Sequence, residues 1–113
     1  MNGSEKQITW ANEIIEITKR RNDQRLADEQ ARYDADVADY GSGNEDTLAL
    51  RKTIHSVVNA ECDKLDDAKL VIDNRANLMM ALVRKGGNEI MAQHGDYIRK
   101  SFPQVQNFVT WAA

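Results

Sequence analysis

Scarcity is the first information in this sequence. One cysteine, Cys62, excludes an internal disulfide and fits a reducing compartment. One proline, Pro103, and glycines confined to positions 3, 41, 43, 86, 87 and 95 leave long stretches without a break. Within those stretches apolar residues recur every three or four positions and never alternate over a strand's length, which excludes a sheet. No run of 18 apolar residues exists, so no membrane span is expected. The start, MNGSEKQ, lacks the basic and apolar regions of a signal peptide, and a cytoplasmic location without membrane partners is expected. Positive charge is also short: 15 Lys and Arg against 18 Asp and Glu give a net charge of -3, which argues against direct nucleic-acid binding.

What remains is ordinary globular material, 42% hydrophobic and 29% charged, over 113 residues. A chain of this length buries roughly two-thirds of its unfolded surface, and one domain spanning 1–113 is expected. Ser4 and Gln7 have the spacing of a capping box, which starts a first helix at Glu5. Its stripe of Ile8, Ala11, Ile15 and Thr18, with Trp10, Ile14 and Ile17 beside it, fades and resumes at Leu26, Tyr33, Val37 and Tyr40. Residues 18 apart lie about five turns apart, so Ile8 and Leu26 point one way. One helix to about Asp39 is expected, with a kink near Asn22 and Asp23 as the competing reading.

GSGNED at 41–46 reads as a loop, with Asn44 capping a second helix whose buried face is Leu50, Ile54, Val57, Val58, Cys62 and Leu65. Asp66 and Asp67 open a third helix running to Gly86 and Gly87, with Arg75 on its buried stripe between Val71 and Met79. A shorter helix over 88–101, weakened by Gly95, turns Ile90, Met91, His94, Tyr97 and Ile98 inward. A last helix has Pro103 in its first turn and Val105, Phe108, Val109 and Ala112 on its apolar face. The expected fold is an all-α bundle of four or five helices with a long N-terminal helix. Its expected core is Ile8, Trp10, Ile14, Ile15, Ile54, Val58, Val71, Ile72, Met79, Leu82 and Ile98.

No catalytic, cofactor or metal site is expected. His55 and Cys62 share a helix face but stand about two turns apart, too far to chelate as neighbours. His94 reads as a partly buried histidine with one bonded nitrogen, and no glycine-rich phosphate motif occurs. The chain instead offers surfaces. Residues 28–46 hold Asp28, Glu29, Asp34, Asp36, Asp39, Glu45 and Asp46 against Arg32 alone, with Tyr33 and Tyr40 among them. KRRNDQR at 19–25 forms a basic collar before them, expected to bridge to Glu16 or Asp23. Met79, Met80 and Met91 read as core filler rather than an adaptable surface. Trp111 either pins the last helix or offers an anchor.

Two segments carry a resemblance. Gly3, Ser4, Glu5, Lys6, Gln7, Ile8, Trp10 and Ala11, with Ala68, Lys69, Ile72, Asp73, Asn74 and Arg75, resemble the opening and close of a small bacterial and phage domain. That group opens on G-S-E-K-Q-I-x-W-A and closes on A-K-W-W-I-D-N-R; Leu70 and Val71 stand here in place of its tryptophan pair, and residues 76–113 have no counterpart. The resemblance implies a home in bacterial or mobile-element proteins, brings no activity with it, and suggests that Trp10 and Ile14 pack on Val71 and Ile72.

The expected function is that of a non-catalytic protein-binding accessory protein of a phage or mobile element, its partner contacted by Tyr33, Asp34, Asp36, Asp39, Tyr40, Arg75 and Trp111. One alternative is an acidic inhibitor of a host defence nuclease that replaces nucleic acid in the enzyme's groove. Another is an enzyme, or a nucleic-acid-associated protein using Arg20, Arg21, Arg25 and Arg75. Pairing of the long helix with a second copy is also open.

Overall fold

The computed structural model describes residues 1–113, folded as six helices with no strand: α1 (Glu5–Tyr40), α2 (Glu45–Asp63), α3 (Ala68–Asp73), α4 (Leu78–Lys85), α5 (Gly87–Ser101) and α6 (Val105–Ala112). The molecule measures 53 × 27 × 19 Å. Its long dimension is α1, whose 36 residues span about 54 Å at 1.5 Å per residue.

The α1 start is the expected capping box: the Gln7 N–H donates to Ser4 Oγ and the Ser4 N–H to Gln7 Oε1. Its end is set by Gly41, at φ 81°, whose N–H donates to the Val37 carbonyl. Only a residue free of a Cβ adopts that left-handed turn without penalty. The helix does not kink at Asn22 and Asp23. Asn22 is 1% exposed and donates Nδ2 to the His55 carbonyl and Asn59 Oδ1, and Asp23 Oδ1 lies 2.7 Å from His55 Nε2. Both side chains thus find partners on α2 instead of competing for their own backbone.

These contacts fix α2 antiparallel to α1. Lys19 pairs with Asp63 at one end, and the Tyr33 hydroxyl donates to Glu45 at the other. The basic collar's expected bridges to Glu16 or Asp23 are not made: Lys19 takes Asp63, and Arg21 donates to the Ala113 carbonyl. Asn44 caps α2 by accepting the Thr47 N–H, and Asp67 caps α3 by accepting from Lys69 and Leu70.

The expected third helix is two. After Asp73 the chain turns through residues 74–77, where Asn74 Nδ2 donates to the Leu70 carbonyl and the Asn77 N–H to the Asn74 carbonyl. Arg75 is therefore exposed rather than on a buried stripe. Its guanidinium sits over the Trp10 ring, 5.3 Å from the centroid, and Nη1 donates to the Ile72 carbonyl. Arg75 does join α3 to α1, through an indole instead of a carboxylate. Trp10 leaves the expected core for the same reason: at 45% exposed, it serves as the flat surface on which the guanidinium rests.

The core is one cluster of 21 buried residues, centred on Leu50, Ile54, Val58, Val71, Val83 and Ile90. Ile8 packs at its edge, half-buried. Glu61, on α2, is bonded by Lys64 and lies 3.7 Å from Lys85, which ties α4 to α2. In α5 the backbone leaves helical geometry at His94, whose Nε2 lies 2.7 Å from Thr53 Oγ1. Pro103 lies in the turn before α6, and Val105 is 74% exposed, so that helix buries Phe108, Val109 and Ala112 alone.

Candidate functional site

The α1 stripe that faces the bundle changes character along its length. Up to Thr18 it is apolar or small and buried; beyond Asn22 no residue of α1 is buried. Its bundle side there carries Glu29, Arg32, Tyr33 and Asp36, spaced to share one helix face. A polar stripe does not close against apolar neighbours, and a cleft of about 370 Å³ remains. Asn44 and Thr47 of α2, Tyr97 of α5, Phe102 and Trp111 complete its lining.

The cleft is firmly built on its far side. Tyr97 Oη contacts Thr47 Oγ1 and accepts from Asn44 Nδ2 at 3.4 Å. Phe102, Phe108 and Trp111 pack as a cluster, with centroid separations of 5.5, 5.2 and 6.3 Å. Beneath Trp111 lies Arg51, 4% exposed, its guanidinium carbon 4.1 Å from the ring centroid. Arg51 Nη1 and Nη2 donate to the Ala112 and Trp111 carbonyls, which end α6 and have no helical partner. Burial pushes the Arg51 pKa down while the Glu29 carboxylate pulls it up.

Of the residues expected to contact a partner, the structure brings Tyr33, Asp36 and Trp111 together in this cleft. Asp34, Asp39 and Tyr40 stay outside it on the exposed end of α1, with Tyr40 80% exposed. Arg75 is remote. With Arg21 it borders a second cleft of about 260 Å³ beside Ile17, Met79 and Met80. Tyr97, Phe102 and Arg51 were not anticipated at a site. Arg51 had a legible signal, since it stands three residues before Ile54 and seven before Val58, on the buried stripe of α2.

None of the seven acids of residues 28–46 enters an ion pair. Asp28 and Asp34 instead accept amide protons from Gln24 and Gln30, and Glu45 accepts from Tyr33. The outer half of α1 therefore presents carboxylates without ion-pair partners beside an aromatic cleft that also holds Arg32. Glu29 and Asp36, beside Tyr33 and Trp111, suit a lysine or arginine side chain there, next to Arg32.

Elsewhere no group of three or more His, Cys, Asp or Glu side chains converges. No helix is long and apolar enough to cross a membrane. Cys62 is 3% exposed, and burial pushes its thiol pKa up. It is expected to resist iodoacetamide at pH 8 in the folded protein and to react fully once unfolded; mass spectrometry of the alkylated chain reads both. Comparison with protein-family models, with curated proteins and with solved structures finds no match.

Proposed function

We propose that the chain is a non-catalytic protein-binding module, an accessory protein of a phage or other mobile element, that holds a basic surface of its partner against the outer end of α1. The observation that carries this reading is the absence of any ion pair among the seven acids of residues 28–46. Elsewhere Asp63, Asp73 and Asp96 are each paired with a lysine or arginine. Asp34, Asp36 and Asp39 supply the charge, and Tyr33 and Trp111 line the cleft that receives one cationic side chain. The mobile-element setting rests on the resemblance of residues 3–11 and 68–75.

The test is affinity capture from a bacterial host with the native chain and with the triple variant Asp34→Asn, Asp36→Asn, Asp39→Asn. The partner is retained by the native chain, its affinity falls with salt, and the variant loses about tenfold or more. Equal retention by both chains sinks the acidic reading. A nuclease as the retained partner, released by competing DNA, marks the special case in which the acids stand in for phosphates. Direct binding of DNA by the chain alone sinks both.

A further inference from the structure

The flank of α1 beside the cleft carries a second pattern, in which Arg32 also borders the cleft and Arg21 also donates to the Ala113 carbonyl. Arg21, Asp28, Arg32 and Asp39 are all exposed, and their spacings from Arg21 of 7, 11 and 18 residues are close to two, three and five turns, so they form one row. Their charges run plus, minus, plus, minus. None enters an ion pair. The row reads with opposite signs from its two ends: Arg21 and Asp39 are equidistant from position 30, and so are Asp28 and Arg32.

We infer that this flank pairs with a second copy of the chain, the two α1 helices running antiparallel about a two-fold axis at position 30. In that register Arg21 of each copy faces Asp39 of the other, and Asp28 faces Arg32. A two-fold contact demands a surface complementary to itself, and sign reversal about a midpoint is the form that demand takes on a helix. A parallel pair would set each charge against its own like. Arg21 and Asp39 are out of reach of each other within one copy, because the 18 residues between them hold them about 27 Å apart; Asp28 and Arg32, four residues apart on the helix, are within reach but are not paired there. Ile17, 60% exposed and one turn before Arg21, lies on the same flank, opposite the partner's loop just past the end of its α1.

Sedimentation equilibrium of the full chain alone tests this. A dimer forms at low salt and weakens by about tenfold or more near 1 M salt, where the screening length falls to about 3 Å. Arg21→Glu and Asp39→Arg each weaken association by about tenfold or more, and the two together restore it. Asp28→Arg and Arg32→Asp, changed singly and together, repeat the test at a pair that makes no contact with Ala113. Circular dichroism shows each variant folded. Spin labels at Ala31 report a short distance between copies, whereas labels at Thr9 report roughly 60 Å. A monomer under every condition overturns the inference. So does association indifferent to the reversals, or a short distance at Thr9.

Discussion

Replacing Arg51 with methionine is expected to lower stability by about 2–3 kcal/mol, near the sum of two net charge-assisted hydrogen bonds less the relief of a buried charge. Methionine keeps most of the volume, so the loss is one of chemistry rather than of a cavity. The Ala112 and Trp111 carbonyls, which Arg51 now holds at 2.7 and 3.2 Å, would lose their partners at the buried end of α6. The negative end of that helix would also lose the positive charge that faces it. Desolvation lowers the Arg51 pKa, yet the side chain stays charged at every ordinary pH. Because α6 is eight residues long, it has little helical stability of its own and depends on this anchor and on Phe108, Val109 and Ala112. A urea melt followed by circular dichroism reads the loss. Trp111 emission shifting to the red before the main transition would show α6 leaving first. Lysine at 51 is not a conservative substitute, since it cannot bond both carbonyls while stacking flat on an indole. An unchanged melt for the methionine variant would show that α6 is held by apolar contact alone.

How much of this was legible depended on whether the signal was local. The capping box at Ser4, the Asn44 cap and the end of α1, expected at about Asp39 and found at Tyr40, follow from residues within a few positions of one another. The break at 74–77 was not anticipated because Val71 and Met79 keep the same helical phase across it; periodicity cannot register a turn that preserves phase. The composition held the clue: Asp73, Asn74 and Asn77 are residues that bond their own backbone in turns, as Asn74 does to Leu70. That turn moves two residues at once: it exposes Arg75 and sets its guanidinium over Trp10, which stays out of the core. The site divides the same way. Tyr33 and Asp36 were visible as members of one charged, aromatic stretch, but Tyr97 and Phe102 reach the cleft only through the packing of α5 and α6 against the start of α2, which no local pattern states. Arg51 lies on the buried stripe that its position predicts, as Arg75 does not, because α2 is unbroken.

Gly86→Ala is expected to destabilise the fold by about 2–3 kcal/mol, although the backbone alone predicts the opposite sign. As a glycine after a helix, Gly86 invites explanation by a left-handed turn. Its φ of -86° and ψ of 4° are open to any residue, so alanine there would cost no backbone strain and would gain about 0.4–1 kcal/mol from a less flexible unfolded chain. Space decides against it. A Cβ on Gly86 would stand 2.0 Å from Val57 Cγ1, and Val57, 3% exposed in the middle of α2, has no empty side to turn toward. Gly86 is where α4 turns into α5, and its missing side chain lets that corner sit directly on α2. The measurement is a double-mutant cycle. Val57→Ala removes the obstructing methyl and by itself costs the packing of a buried valine. In that background Gly86→Ala should lose at least about 1 kcal/mol of its penalty, as two residues in contact couple by that order. Thermal melts of the four proteins suffice: Gly86→Ala alone should lower Tm by about 10 °C. A Gly86→Ala protein as stable as the parent would mean that the α4–α5 corner can lift from α2 at little cost, and that the glycine is there for its flexibility after all.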